Sequence, residues 1–192
     1  HDLWVIRDAP KLGSFEKHAR VRQLALDCGA EVNELVVDGV RIVPLLSWYD
    51  YSFGCPGPEL ATWMDYVACR WPPGWDDAAV TSRFLDMNQI VRDGRSPPAD
   101  PPSRTISFSH FLPRLDLMPD FIPASRRFLY PVLGTARLDA QVRRLGSQLH
   151  VYGHSHVNRD VVIDGVRYVN NAFAYPHETA IAAKRLICIH EH

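Results

Sequence analysis

The chemistry of this chain is most visible in Leu149-His150-Val151-Tyr152-Gly153-His154-Ser155-His156, where an apolar run ends in a Gly-His-x-His turn. Neutral imidazole is a frequent ligand for divalent metals, and residues at i and i+2 of an extended segment project to one side of the backbone. His154 and His156 are therefore expected to reach one ion, or two ions about 3.5 to 4 Å apart as in two-metal hydrolases. Gly153 lets the chain turn with no Cβ in the way. A His-x-His pair alone also fits a surface or core pair with no ligand. Its context comes from a second strand, Thr105-Ile106-Ser107-Phe108-Ser109, which stops at His110, and from His1-Asp2 at the start of the chain. Strand ends that face loops are where α/β folds place reactive groups.

Other side chains are spaced to help. Arg114 lies four residues beyond His110, and Arg159 three beyond His156, so each guanidinium is a candidate for bidentate contact with phosphate. Tyr49 follows the strand that ends near Trp48 and is a candidate wall of a substrate pocket. The pair Asn170-Asn171 is expected beside the histidine turn, where Asn171 would hydrogen-bond a ligand imidazole. His150 sits inside its strand and reads as packing or support. His190 and His192 form another His-x-His, but a terminus that frays does not preorganise ligands.

These residues need strands to end near one another, and the sequence alternates helix and strand to that effect. Ser14-Phe15 caps a helix with Phe15, Ala19, Leu24 and Cys28 on one face, ending at Gly29. A strand follows near 41–48, then a helix from Pro58 to about Arg70. Asp76-Asp77 caps a helix carrying Val80, Phe84, Met87 and Val91, stopped by Asp93-Gly94. Thr135 caps another with Leu138, Val142 and Leu145 inward and Gly146 as its stop. Beyond the histidine turn, Val161-Val162-Ile163, Asp164-Gly165 and Val166-Arg167-Tyr168-Val169 spell a hairpin with a type I′ turn. Arg185-Leu186-Ile187-Cys188-Ile189 reads as a last strand.

At 192 residues, 46% hydrophobic and a formal charge of -1, the chain suits one ordinary core and shows no bias toward nucleic acid or anionic membrane. The apolar runs are too short to span a bilayer. Cys28, Cys55, Cys69 and Cys188 have unpatterned spacings and read as buried or half-buried thiols, which implies a reducing, cytoplasmic setting. A phosphorylated small molecule or other phosphoester is the expected partner.

Together His1-Asp2, His110 and Gly153-His154-Ser155-His156 resemble the second half of the ordered motifs of the calcineurin-like metallophosphoesterase superfamily, over nearly the whole chain. The similarity includes Val43-Pro44-Leu45-Leu46-Ser47-Trp48-Tyr49 and Ile106 to Arg114, as in a bacterial and plant subgroup. The resemblance implies a single α/β domain, a β-sandwich flanked by helices that lacks its N-terminal βαβ units, so residues 1–192 would be a C-terminal portion. It implies His110 and His154 on one metal and His156 on the other, His1 as general acid or phosphate clamp, and Asp2 in support. It also implies two divalent ions, manganese, iron or zinc, and hydrolysis of a phosphate mono- or diester by metal-activated hydroxide. The family's Asp-x-His, Gly-Asp-x-x-Asp and Gly-Asn are absent from the sequence, and with them the bridging carboxylate. Two alternatives stay open: a non-catalytic binding or scaffold relative, and a metal-dependent lyase or dehydratase on the same fold.

Overall fold

The computed structural model describes residues 1, 3–6, 11–88, 102–178, 182 and 184–191. One six-stranded sheet organises them, built from β1 (Leu35–Val37), β2 (Val40–Pro44), β3 (Arg104–Phe108), β4 (Leu149–Val151), β5 (Arg159–Ile163) and β6 (Val166–Asn170). The spatial order is β1-β2-β3-β4-β6-β5. β2, β3, β4 and β6 are parallel neighbours, while β1 and β5 pair antiparallel at the two edges. Parallel neighbours need crossovers long enough to return the chain, and helices supply them. α2 (Met64–Ala68) and α3 (Asp77–Met87) lie between β2 and β3, and α4 (Ala136–Arg144) between β3 and β4. α1 (Ser14–Asp27) precedes the sheet. This is a mixed α/β fold; among the described residues the strands form one sheet, and the expected β-sandwich is not seen there.

The alternation along each strand sorts the two faces. Val43 of β2 and Tyr168 of β6 point to the face covered by α4, where they meet Leu85, Leu112, Leu138 and Val142 in a fully buried cluster. Val40, Ile106, Leu149 and Val169 point to the other face, joined at its margin by Ile42, Val151 and Ile189. A third cluster is aromatic: Trp4, Trp48, Tyr49, Phe84 and Phe111 pack together, with Trp4 stacked on Phe84 at 4.3 Å between centroids. Burying such rings stabilises by roughly 1.5–3 kcal/mol each, so the loops that carry them are fixed almost as firmly as the strands.

Several local expectations hold. Asp76 caps α3 by accepting from the Ala79 N–H at 2.8 Å, and Thr135 caps α4 by accepting from the Arg137 N–H at 3.2 Å. Asp164 and Gly165 have φ of 48° and 82°, as a type I′ turn requires. Gly29 and Gly146 end their helices at φ of 78° and 66°.

Others are corrected. Ser14 does not cap α1, because its hydroxyl is spent on the Trp4 carbonyl at 2.8 Å and on accepting the Arg70 N–H at 2.8 Å. Leu24 on the predicted inner face is 62% exposed, since the core side of α1 is formed by Ser14 and His18 instead. The Pro58–Arg70 helix breaks into a 3-10 turn (Pro58–Leu60) and the short α2. Arg185–Ile189 pairs with no strand among the described residues; only Ile189 packs onto the sheet. Cys28, Cys55 and Cys188 are exposed rather than buried, and Cys69 is half-buried. Val91 and Asp93-Gly94 lie outside the described residues. No helix among the described residues is long and apolar enough to cross a membrane.

Candidate functional site

The carboxyl ends of β3 and β4 face the same way because the strands are parallel and in register, Phe108 opposite Val151. The pairing continues for one step past the strands: Ser109 N–H donates to the Val151 carbonyl at 3.0 Å, and Gly153 N–H to the His110 carbonyl at 3.0 Å. His110 and the Gly153–His156 turn are thus laid side by side. A Cβ on Gly153 would come to 3.4 Å from the His110 carbonyl oxygen and 3.5 Å from its Nδ1, ordinary contact distances, so the two segments lie against each other at van der Waals range. His154 and His156 both adopt positive φ, 65° and 56°. β4 ends at Val151, and two left-handed residues break the extended period that was to aim both rings one way.

The break separates the two rings and brings a third histidine in. His1, His110 and His154 each offer a nitrogen within 4.8 Å of the others. His154 Nδ1 lies 2.9 Å from His1 Nε2 and 3.2 Å from His110 Nε2. Their outer partners fix two tautomers. His154 Nε2 meets the Val132 carbonyl at 3.0 Å, which only accepts, so Nε2 carries the proton and Nδ1 presents a lone pair inward. His1 Nδ1 meets Asp65 Oδ1 at 2.6 Å, so it donates there and neutral His1 likewise turns Nε2 inward with a lone pair. Asp65, 1% exposed, takes a second bond from the Trp63 indole N–H at 2.9 Å. Burial, and then the nearness of His110 and His1, hold His154 well below the ordinary imidazole range. Desolvation by the surrounding protein, then the charges of His1 and His156, also lower His110, although the residue as a whole is exposed. Lone pairs facing one another at about 3 Å repel unless something positive sits between them.

A cation suits this donor set. Nitrogens about 2.0–2.1 Å from a tetrahedral zinc lie roughly 3.3 Å apart, close to the 2.9 and 3.2 Å separations around His154 Nδ1. The carboxylate–histidine arrangement of Asp65 and His1 is the outer support that such ligands ordinarily have. His156 stands apart from the trio, its Nδ1 donating to Glu178 Oε2 at 2.8 Å. The Glu178 carboxyl is held below its usual range although burial opposes this, through the Tyr175 N–H and the His156 ring.

The supporting residues are mostly ones the sequence did not single out. Ser109 spends its hydroxyl proton on the Phe111 carbonyl at 2.8 Å. His150 Nε2 must therefore be the donor in its 3.0 Å bond to Ser109 Oγ, and Ser107 donates to His150 Nδ1 at 2.8 Å. The chain Ser107, His150, Ser109, Phe111 carbonyl brackets His110 from both sides, and Phe111 is anchored in the aromatic cluster. His150, expected to serve packing or support, is fully buried and hydrogen-bonded through both ring nitrogens. Asn170 holds the histidine turn through Ser155 Oγ at 2.9 Å and the Gly153 carbonyl at 3.3 Å. Asn171, the expected partner of an imidazole, donates instead to the Arg185 carbonyl at 2.7 Å. Asn170 is the last residue of β6 and Asn171 the first beyond it, so the two amides have different partners.

Two further expectations are corrected. Arg114 is bound to Asp116, Asp139 and Asp164 at 2.7, 3.3 and 3.2 Å, so its guanidinium is committed to carboxylates rather than open to a phosphate. Tyr49 is fully buried in the aromatic cluster, so its side chain has no face open to a substrate. Arg159 begins β5 opposite Asn170, with a buried Nε that has no hydrogen-bond partner among the described residues. Asp2 lies outside the described residues. Asp65, Val132, Ser109 and Glu178 were missed, and only the apolar context of a lone Asp between Met64 and Tyr66 could have flagged one of them.

No protein-family model matches the chain, and no curated protein matches it. Among solved structures, the phosphopantetheinyl hydrolase (PptH) from Mycobacterium tuberculosis superposes with a TM-score of 0.68 at 20% identity, over 94% of this chain and 68% of that one. A second structure reaches only TM-score 0.46 at 12% identity, over 85% of this chain and 53% of that one. Membership of the calcineurin-like superfamily, expected from the motifs, is overturned by this outcome: the structural likeness is to the phosphopantetheinyl hydrolase, and neither a family model nor a curated protein supports the superfamily. The likeness to the hydrolase is one of fold.

Proposed function

We propose that the chain carries the active site of a metal-dependent phosphoester hydrolase acting on a phosphate mono- or diester. The observation that carries this reading is the convergence of His1, His110 and His154 on one point, with two of the three tautomers set so that lone pairs face inward. These three would hold a divalent ion, zinc, manganese or iron, with imidazole favouring zinc and iron. When bound, such an ion offsets charge on phosphoryl oxygens and lowers the pKa of water toward about 7. A second ion would draw on His156, which is near enough to act electrostatically on His110.

In this reading His1 is a ligand rather than the proton donor expected from sequence. Where one ion is bound, donating a proton to the leaving oxygen would fall to His156 in its doubly protonated form, oriented by Glu178 on Nδ1 and without a partner on Nε2 among the described residues; where a second ion binds, that nitrogen would be its ligand instead. Arg159, with its unpaired Nε, is the remaining guanidinium for the phosphate. The description of the structural neighbour as a phosphopantetheinyl hydrolase supports a phosphoester as substrate class.

The test is metal content by mass spectrometry together with turnover of p-nitrophenyl phosphate and bis-p-nitrophenyl phosphate under added zinc, manganese or iron(II). Bound metal, with turnover abolished in His110→Ala, is the expected result. Metal without turnover would favour a binding module, and neither metal nor turnover would remove the enzyme reading.

A further inference from the structure

A cavity of about 580 Å³ opens beside the histidine cluster, with His1 and His110 at one end. It runs along β2, from Ser47 back toward the β1–β2 hairpin, between the sheet and α1. Its walls are apolar: Val21 and Ala25 from α1 face Leu35, Ile42, Leu45 and Phe108 from the sheet side. The far end is polar, where Arg22, Glu31 and Asn33 line it, and Arg22 donates to the Val32 carbonyl at 3.0 Å. Phe108 is left 43% exposed there although it projects from the centre of the sheet. A volume of this size is ordinary for a small-molecule site, which is characteristically apolar with a few placed polar groups.

We propose that this cavity receives the organic arm of the phosphoester: an extended chain, apolar next to the phosphate and carrying hydrogen-bonding groups at its distal end. The inference rests on the phosphoester reading above, because it is the phosphate seated at His1 and His110 that directs the arm into the groove. Continuity argues for this occupant, since the same two histidines line both the cluster and the cavity mouth. So does the order of chemistry along the groove. A phosphate on a short or compact group would leave Ile42 and Phe108 uncovered, whereas an extended chain removes both from water and brings its polar end to Arg22, Glu31 and Asn33.

The experiment compares ethyl phosphate with hexyl phosphate binding by calorimetry, on the zinc-loaded chain, for wild type and for Ala25→Trp, whose indole would fill the groove. Val21→Trp replaces it where that variant does not fold. Hexyl phosphate is expected to bind at least about tenfold tighter than ethyl phosphate, since burying each methylene strengthens binding, and the ratio is expected to collapse toward one in the variant. Equal affinities, no binding of either phosphate, or a ratio that survives in the variant would overturn the proposal. Turnover of the p-nitrophenyl esters is read in parallel. Cleavage without chain-length preference sinks the groove alone, and chain-length preference without cleavage sinks the enzyme reading while the groove stands as an alkyl-phosphate site.

Discussion

His150 and His154 are four residues apart in sequence, both have pKa values lowered by burial, and they meet opposite surroundings. His150 lies inside β4 between two serine hydroxyls, one donating to Nδ1 and the other accepting from Nε2, so its neutral form is fully satisfied. His154 lies past the strand, its Nε2 proton on the Val132 carbonyl and its Nδ1 lone pair against two more imidazoles. The first arrangement is complete without any added species. The second becomes favourable only when a proton or a metal ion enters it. The difference teaches that residue type and a lowered pKa do not distinguish a structural from a reactive histidine here; the hydrogen-bonding capacity of its partners does.

The largest expected separation comes from His154→Ala. Removing a ligand should reduce zinc affinity, followed by competition with a chelating dye, by more than the roughly 100-fold that loss of an outer partner can cause, with turnover falling alongside. His150→Leu should act on the fold instead. It leaves the Ser107 hydroxyl buried without its acceptor and removes the donor to Ser109, so chemical denaturation should show a loss of about 2 to 4 kcal/mol. An equal loss of metal affinity in the two variants would break the comparison.

Acid sharpens the same contrast. The folded-state pKa of His150 is lowered to about 3 by burial, against an ordinary value of 6.5. Between those values the unfolded chain binds a proton that the folded chain does not, so stability falls as pH drops through 6.5 toward 3 and is fully retained above 6.5. One such group contributes a slope of about 1.4 kcal/mol per pH unit. His18, also lowered, by burial and then by Arg22, adds in the same direction. Denaturation midpoints measured from pH 7 to 4 should decline in wild type and decline less in His150→Leu. An unchanged slope in that variant would show that His150 is protonated in the folded chain.

Much of the frame is legible in the sequence because its signals are local. The Asp164-Gly165 turn, the Asp76 and Thr135 caps and the strand-end position of His110 each depend on a few adjacent residues, and each stands as read. The site is less legible because it depends on contacts across the chain. Asp65 is 64 residues from His1, and Val132 is 22 from His154. The division of labour between His154 and His156 turned on two positive φ values that an extended reading of Gly-His-x-His does not foresee. Arg114 was placed by spacing alone, which does not reveal that Asp139 and Asp164 converge on it from α4 and the β5–β6 turn.

The smallest effect, and the one that joins the two histidines, is expected from Ser109→Ala. The Ser109 hydroxyl links His150 to the Phe111 carbonyl, and His110 lies between the residues it ties together. Ser109→Ala removes both of these hydrogen bonds and leaves the His150 Nε2 proton without its acceptor, a cost of about 1 to 3 kcal/mol of stability, no more than that of His150→Leu because Ser107 still donates to His150 Nδ1. The loop loses only one of its restraints, since Phe111 N–H still donates to Ser47 Oγ at 3.2 Å and Gly153 still bonds the His110 carbonyl. His110 should therefore reach the cluster but sit less firmly, with metal affinity reduced about 10-fold and the midpoint of unfolding shifted less than in His150→Leu. Ser109→Thr keeps the hydroxyl and should restore affinity. A Ser109→Ala chain that binds zinc as wild type does would mean that His110 is positioned by the aromatic anchor of Phe111 alone, and that the satisfied histidine in the strand supports the fold without supporting the site.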